Sequence, residues 1–392
     1  MKLIQRDFSI DAPFIDKQAR RGWISFGYNN NFPIDVVELA NASPLQKSIL
    51  ESKISAVWGA GLKPTEKKQF TPNMVESWSS LIQKLITDFV YLDAFAVQII
   101  VNKSGGSFSF YHQPVDQVRF AQYDDDNMIK TAYLCTDWTR ATKRNIVEIK
   151  MFGSESPKIG ERYLLYCKRE RIGELYYAVP QWFSAANWIA ADAALSRYYN
   201  NFISNNFSAS MKVTFPSTPN DEAKKELYEN LQKAFGGERN AGNIVLLFGE
   251  GGTLPDINPI ESQDPNLYNA VTDIVTRQII TANRLTSPAL AGVATSAGFS
   301  NKAEELIAAW TLYKLSVIQE VRSFILDKCN FLLELNGLDR SLEIQDIDFR
   351  KEFEGKTDSN DDVERESVGV TDNEDDEVDN NAKEEEEQED GK

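Results

Sequence analysis

The sequence is poor in the residues on which many enzymes and disulfide-stabilised proteins depend. It has one histidine in 392 residues, His112, so the side chains that a histidine-based triad or metal centre needs are largely absent. Its cysteines, Cys135, Cys167 and Cys329, lie far apart and form no Cys-x-x-Cys pair. Such a set argues against a disulfide framework and fits a reducing compartment. The sequence therefore predicts no catalytic residue, no metal and no cofactor, and so no enzyme.

The short motifs that could bind a phosphate or a cation are incomplete. "GAG" at 59–61 lacks the third glycine and the preceding strand of a dinucleotide-binding loop, so it indicates the end of a helix. "FGEGG" at 248–252 lacks the Lys-Ser/Thr of a phosphate-binding loop. The acids of "YDDDN" at 123–127 are typical of a solvated turn. The uncharged run 175–191 is too short and too often interrupted by polar residues to predict a membrane span.

Negative charge is concentrated at the C-terminal end. Residues 354–392 hold 18 of the 59 acidic residues and 4 of the 42 basic ones, which leaves about −3 of the total net charge of −17 for the remainder. The segment has almost no apolar residue to bury, so we expect it to be disordered. It could serve as a solubilising end, as an interaction tail for a basic partner, or as a repulsive brush beside nucleic acid. The opposite end, "MKLIQRDFSID", has no signal-peptide pattern.

Four helix starts are indicated by a capping residue followed by proline, a residue that suits the first helical position. They are Ser43-Pro44, Thr71-Pro72, Thr218-Pro219 and Asp264-Pro265. Ser43 with Gln46 also predicts a capping box, in which the two side chains bond to each other's main-chain N–H groups.

Strand patterns and helix patterns together predict an α+β protein. "AFAVQIIVN", "KSGGS" and "FSFYHQPV" predict a hairpin after a helix at about 72–90, and further strands are expected at "TAYLCTDW", "NIVEIKMF" and "RYLLYCK". A long helix is expected from Pro180 to Asn206. A small α/β unit follows, with strands at "ASMKVTFP" and "GNIVLLF". The longest helix, at about 301–336, repeats apolar residues at three- or four-residue spacing.

The stretch between the last two helices is unusual. "SPALAGVATSAGFS", residues 287–300, carries no charge, although it immediately precedes the longest predicted helix. Its small residues and its glycines, Gly292 and Gly298, favour a loop with conformational freedom. An ordinary mobile surface loop would explain the composition, and so would a loop that must slide past a charged polymer.

Several local patterns, taken in order, resemble the portal proteins of tailed bacteriophages, in the compact family of the siphophage lineage. They are "AVWGAGL", "YYNNFISNNFSASMKVTFP", "GNIVLLFGEGG", and "ITANRLTSPALAG" followed by "FSNKAEE". The resemblance covers roughly residues 40–350. It implies a portal-like fold, with an α/β wing, two stem helices that flank a small clip, and a long wing helix.

The resemblance also implies a function and partners. Such proteins form a homo-oligomeric ring, expected to be dodecameric, around a channel at one capsid vertex, through which DNA is packaged and ejected. The implied partners are the terminase large subunit, a head-tail adaptor, capsid and scaffold proteins, and double-stranded DNA bound without sequence specificity. The implied location is the virion, and the host cytoplasm during assembly, with no membrane. The alternative is an oligomeric, acidic-tailed assembly scaffold or chaperone without a DNA channel.

Carried onto this sequence, the resemblance divides the chain into seven parts. They are 1–179 (N-terminal wing), 180–206 (stem helix), 207–262 (clip), 263–286 (second stem helix), 287–300 (tunnel loop), 301–353 (long wing helix and closing strand) and 354–392 (acidic tail).

The residues expected to line the channel come from the uncharged stretch. They are Ser287, Pro288, Leu290, Gly292, Thr295, Gly298, Phe299 and Ser300. Phosphate contacts add up around a ring, so an uncharged loop would let DNA pass without holding it. Arg277, Arg284 and Lys302 are candidates for contacts with DNA or with a neighbouring subunit. For the two arginines, a salt bridge between subunits is the favoured interpretation.

Overall fold

The computed structural model describes residues 22–64, 71–204, 211–215, 220–222, 225–226, 244–248, 256–259, 265–293 and 303–347. Contacts divide the chain into a unit of residues 1–346 and a unit of residues 347–392. All the helices and strands described below belong to the first unit.

The named helices and strands of this unit are described by their bounds. The helices are α1 (Phe32–Ala42), α2 (Pro44–Trp58), α3 (Trp78–Leu92), α4 (Ala186–Ser204), α5 (Pro265–Ala282), α6 (Ala303–Tyr313) and α7 (Gln319–Leu335). The strands are β1 (Ala94–Val101), β2 (Phe108–Gln113), β3 (Val118–Phe120), β4 (Thr131–Leu134), β5 (Val147–Met151), β6 (Arg162–Lys168), β7 (Met211–Phe215), β8 (Ile244–Phe248) and β9 (Asp256–Pro259).

Helix α2 begins at the predicted cap but lacks the predicted capping box. The Ser43 hydroxyl oxygen accepts from the N–H of Gln46 at 3.0 Å, and the same hydroxyl donates to Asp192 at 2.6 Å. The Gln46 side chain does not return to Ser43, because its amide oxygen accepts from the Asn283 side chain at 2.7 Å. Both amides are buried, so each satisfies the other's need for a hydrogen-bond partner.

Helix α3 begins later than the sequence predicts. Thr71-Pro72 does not start it, since the Pro72 carbonyl accepts from the N–H of Phe110, at the edge of the sheet, at 2.8 Å. The Asn73 side chain then accepts from two following N–H groups and forms a turn. Ser77 provides the actual cap, and the helix runs from Trp78. The predicted start at Thr218-Pro219 lies outside the described residues, while α5 does begin at Pro265.

The predicted hairpin is confirmed, and it forms part of a six-stranded sheet with the order β2-β1-β6-β5-β4-β3. The strands expected from "TAYLCTDW", "NIVEIKMF" and "RYLLYCK" are β4, β5 and β6, while the three-residue β3 was not predicted. Strand β6 pairs with β1 along its whole length. It pairs with β5 only through Tyr163 and Leu164, in parallel. The sheet therefore opens beside the second half of β6.

The described part of the small α/β unit is a three-stranded sheet with the order β8-β7-β9. Strands β7 and β8 are parallel and correspond to the predicted "ASMKVTFP" and "GNIVLLF". Strand β9, antiparallel to β7, was not predicted. Residues 221–222 and 225–226 are helical, where a helix was expected.

The main core lies between the helices and the sheet. Phe89 of α3, Phe95 of β1 and Phe324 of α7 form one aromatic cluster, with ring centroids between 5.1 and 6.2 Å apart. Phe89 and Phe95 are almost completely buried. Burial of one such side chain contributes about 1.5–3 kcal/mol, so the cluster ties the helices firmly to the sheet.

A buried cation lies on the edge strand β3 of the sheet. Arg119 is 1% exposed, and burial lowers its pKa to about 10. Its guanidinium donates to the carbonyl oxygens of Asn30, Asp116 and Val118 at 2.6 to 2.9 Å. It also lies 5.0 Å from the ring centroid of Trp138. Carbonyl oxygens and aromatic faces thus replace the water that the cation loses on folding.

The long C-terminal helix is interrupted by a π-helical segment. Residues Lys314–Ile318 separate α6 from α7, where the sequence predicted one continuous helix over 301–336. Gly337 ends α7 in the left-handed conformation, as expected. Where the structure describes the predicted closing strand, up to residue 347, the pairing is an antiparallel bridge between Leu62 and Ile344.

Gly59 ends α2 where the sequence predicts it, and the structure leaves no room there for a side chain. Its φ is 58°, in the left-handed region. A Cβ would lie 2.4 Å from the Gln345 carbonyl oxygen and 2.6 Å from the Arg322 guanidinium. Gly337 also has a positive φ, but a Cβ there would meet nothing within 4 Å.

We therefore predict that Gly59→Ala destabilises the protein much more than Gly337→Ala. Gly337→Ala has the cost of a side chain at positive φ, roughly 1–2 kcal/mol. At Gly59 the φ of 58° is combined with a ψ of −137°, so alanine there costs at least as much, and the backbone clash brings the total to about 3 kcal/mol or more. Chemical denaturation of both variants measures the difference in the free energy of unfolding. Equal losses would contradict the close approach of Gln345.

Candidate channel-loop site

The first half of the predicted tunnel loop is folded. Pro288–Ala291 forms a short 3-10 turn, and the Ser287 hydroxyl caps it by accepting from the N–H of Ala289 at 3.3 Å. Gly292 closes the turn at φ 74°. Ala291 is buried, and Leu290 packs against the core. This part of the stretch is thus a capped turn, whereas the sequence predicted a loop with conformational freedom. The predicted residues Thr295, Gly298, Phe299, Ser300 and Lys302 lie outside the described residues.

The turn is reached through a strained helix end. After α5, the N–H of Leu285 donates to Ile280 O and that of Arg284 to Thr281 O, the pattern of a Schellman motif. The residue at the left-handed position is Arg284, with φ 58°, where glycine is usual. A non-glycine residue there costs roughly 1–2 kcal/mol, so other contacts must offset it.

Those contacts join the turn to the long C-terminal helix. The Arg284 guanidinium donates to the carbonyl oxygen of Ser316, in the π-helical segment, at 3.0 Å, and lies 3.5 Å from a Glu320 carboxylate oxygen. Two residues later, the Thr286 hydroxyl donates to the Ala309 carbonyl at 2.6 Å. On the other side of Arg284, the Asn283 side chain pairs with Gln46 of α2. The base of the predicted loop is thus fixed to three helices.

Glu320 links the turn to a charge network that sequence reasoning missed. Its carboxylate pairs with Arg284 and with Arg169, which follows β6. Arg169 also lies 3.5 Å from Asp93, at the corner between α3 and β1. Lys53 of α2 is also affected by these charges. Its pKa is lowered to about 8, mainly by burial and also by the positive charges of Arg169 and Arg284. These residues come from different elements, so no motif in the sequence indicates that they lie close together.

Asp93 is the most buried carboxylate of the network. It accepts from the Arg171 guanidinium at 2.6 Å and from the N–H of Gln181 at 2.7 Å. Its own φ is 51°, and its N–H closes α3 by donating to Phe89. Aspartate tolerates this left-handed position better than most residues, and its side chain simultaneously satisfies two donors.

Arg277 differs from Arg284. It lies on the exposed side of α5, and within the described part of the chain its guanidinium has no ion pair. Helix α5 packs along α4, and the pair buries Ile189 and Val275. Large apolar side chains remain exposed on the same two helices, between 37% and 47%: Trp188, Tyr198, Val271 and Ile274. The helix pair therefore presents both a cation and apolar surface to the outside.

The histidine, the acidic turn and the cysteines considered in the sequence analysis are part of the packed structure. His112 Nε2 lies 2.8 Å from Asp88. Burial raises the pKa of the Asp88 carboxyl, and the contact with His112 acts in the opposite direction. Asp124 of the "YDDDN" turn accepts from the N–H groups of Asp126 and Met128 and pairs with Lys130. Cys135, Cys167 and Cys329 are free and buried. In the described ranges, no group of three or more His, Cys, Asp or Glu residues could hold a metal, and no helix has the length and apolarity to cross a membrane.

Comparison with solved structures gives clear likenesses, although no family model and no curated protein matches the sequence. A chain from the neck of an empty gene transfer agent (GTA) particle, computed with C6 symmetry, superposes with a TM-score of 0.52 at 16% identity, over 84% of this chain and 91% of that one. A chain from the neck of the native GTA particle, computed with C12 symmetry, gives 0.51 at 16% identity, over 85% and 91%.

A crystal structure of an HK97 family phage portal protein from Corynebacterium diphtheriae is less similar. It has a TM-score of 0.38 at 11% identity, over 69% of this chain and 84% of that one. The predicted α+β class is confirmed. The resemblance that the sequence showed is confirmed as a likeness of fold: over most of its length, this chain has the fold of a chain from the neck of a GTA virion.

Proposed function

We propose that this chain is the subunit of a portal-type ring, through which DNA enters and leaves a virion. The observation that carries the proposal is the likeness of fold, over 84% of the chain, to chains from symmetric necks of virion particles. In the proposed ring, which we expect to be dodecameric, the clip around β7–β9 docks a terminase motor and later a head-tail adaptor. The alternative of an acidic-tailed scaffold or chaperone is not favoured by this fold.

The helix pair α4 and α5 supports the side-to-side contacts that a ring needs. A closed ring of identical subunits uses two different, complementary faces on each copy. Trp188 and Ile274 are exposed on these helices without forming part of the core, and Arg277 has no ion pair within the described residues. Apolar surface with a cation beside it fits contact with a neighbouring copy, so we assign Arg277 to that contact.

The uncharged stretch 287–300 is proposed to face the channel. In its described half, the side chains from Ser287 to Val293 carry no charge, and Arg284 at its base is held by Ser316 and Glu320. A cation held in this way is less available to bind a passing phosphate. DNA would therefore meet a surface without strong electrostatic attachment, which suits transport in both directions.

The assembly state tests this function directly. Native mass spectrometry with negative-stain imaging of the purified chain is expected to give a closed ring with a central hole, alone or with capsid and scaffold proteins. A compact dimer without a hole under both conditions would contradict the proposal.

A pair of arginine variants separates the two roles assigned above. Arg277→Ala is expected to leave the free energy of unfolding of the isolated chain unchanged within about 0.5 kcal/mol, since no described contact is lost, but to weaken ring formation. Arg284→Ala is expected to lower stability by roughly 1 kcal/mol, because Ser316 O loses its donor and Glu320 loses one of its two arginine partners at a partly exposed site. Denaturation of the isolated chain and sizing of the assembled form measure the two effects.

Arg284→Gly is the matched control for the second variant. It removes the same guanidinium but relieves the left-handed strain, so it should be more stable than Arg284→Ala by roughly 1 kcal/mol.

If Arg277→Ala forms rings as well as the unmodified chain does, the assignment of Arg277 to a subunit contact is wrong.

A further inference from the structure

An open groove lies where the six-stranded sheet separates. It runs between the second half of β6, the segment that follows β3, and helix α7, and it encloses about 520 Å³. Most of its lining is aromatic or aliphatic, and includes Phe120, Tyr123, Ile129, Leu175, Phe324 and Phe331. Lys168 and Lys328 also line it.

One wall of the groove is an unpaired strand edge. In the ladder between β1 and β6, Val101 N–H donates to Glu161 O and Arg169 N–H donates to Asp93 O. The odd-numbered residues of β6 therefore point their main-chain groups toward β1, and the even-numbered ones point away. Leu164 confirms this alternation, because its carbonyl accepts from Phe152 on the opposite side at 2.8 Å.

The next two even-numbered residues, Tyr166 and Lys168, have no such partner. Strand β5 has ended by then, and no main-chain hydrogen bond from their N–H or C=O groups to another described residue is present on that side. Both residues line the groove. An apolar groove bordered by unpaired main-chain donors and acceptors has the chemistry that recognises an added β-strand.

A segment of this chain has the matching pattern. Residues 1–21 lie outside the described part, and within them Phe8 and Ile10 alternate with Asp7, Ser9 and Asp11. This period of two places both apolar side chains on one face of a strand and the acids on the other. Pro13 follows shortly, and a proline cannot donate to a ladder, so the pattern ends there.

The described chain begins beside the groove. Ile24 N–H donates at 2.8 Å to the carbonyl of Phe120, which lines the groove. The nine residues from Pro13 to Arg21 can span about 30 Å when extended, so the segment can reach the edge of β6.

We propose that residues 7–12 of this chain add to the unpaired edge of β6 as a further strand, with Phe8 and Ile10 in the groove. The main-chain groups of Tyr166 and Lys168 gain partners, and the aromatic lining is covered. This docking is independent of the portal-type function proposed above, because it requires neither DNA nor a channel.

Residue-resolved amide hydrogen exchange on the full chain tests the strand. Phe8→Asp combined with Ile10→Asp is expected to raise the exchange rates of the Tyr166 and Lys168 amides by about tenfold or more, the ratio that corresponds to about 1.4 kcal/mol. A variant that lacks residues 1–12 should behave in the same way. Ser9→Ala, which changes only the outward face, should leave both rates unchanged.

The neighbouring amide provides an internal control. Cys167 N–H points toward β1, so its exchange rate should not follow those of Tyr166 and Lys168. Equal rates at Tyr166 and Lys168 in all variants would overturn the proposal. A uniform rise that includes Cys167 would also overturn it, because it would indicate general loosening rather than the loss of one strand.

Cross-linking identifies which copy supplies the segment. Asp7→Cys with Leu175→Cys, at the rim of the groove, is treated with a short bismaleimide, and Asp7→Cys with Val147→Cys, which is exposed away from the groove, serves as the control. The native cysteines are buried. A link within one chain assigns the segment to its own groove, and a link between chains assigns it to a neighbour's; both support the docking. No link above the control level would overturn it.

Discussion

The buried carboxylate of Asp93 is the contact on which the arrangement of helices and sheet depends. It lies at the single residue between α3 and β1, in a left-handed conformation, and it binds Arg171 and the N–H of Gln181 at 2.6 and 2.7 Å. These partners belong to the segment between β6 and α4. One side chain therefore fixes the corner at which the chain enters the sheet and the segment by which it leaves. Loss of the carboxylate would leave buried cationic and N–H groups without a partner, which costs more than the contact itself contributes.

The same corner is connected to the uncharged stretch through alternating charges. Arg169 lies between Asp93 and Glu320, and Glu320 lies between Arg169 and Arg284. Glu320 thus neutralises cations from two different segments, and Asp93 neutralises Arg169 and Arg171 of one segment, so the shared Arg169 makes the contacts interdependent. The π-helical segment contributes directly, since it is the Ser316 carbonyl in that segment that accepts from Arg284. The interruption of the long helix therefore coincides with the point at which the turn is attached.

The sequence predicts features that depend on a few neighbouring residues. The Ser43 cap, the end of α2 at Gly59 and the hairpin of β1 and β2 all follow from such local signals, and the resemblance supplied the fold. Features that depend on distant partners were missed or misplaced. Pro72 did not start a helix because its carbonyl pairs with Phe110, and Gln46 did not complete a capping box because it pairs with Asn283, 237 residues away. In the candidate site, Arg284 was predicted to contact DNA or a neighbouring subunit, but its contacts with Ser316 and Glu320 could not be deduced from spacing.

These contacts limit how the uncharged stretch could adjust to a passing polymer. Asn283 is held to α2, and Arg284 and Thr286 are held to the long helix on either side of its π-helical junction. The 3-10 turn that follows is capped by Ser287 and anchored by the burial of Ala291. The N–H groups of Gly292 and Val293 also donate to Ala289 O and Pro288 O, at 3.0 and 3.2 Å, so a displacement of any residue from Asn283 to Val293 would break several contacts together. If the stretch lines a channel as proposed, its first half is therefore fixed to the helices that surround it and cannot shift without them.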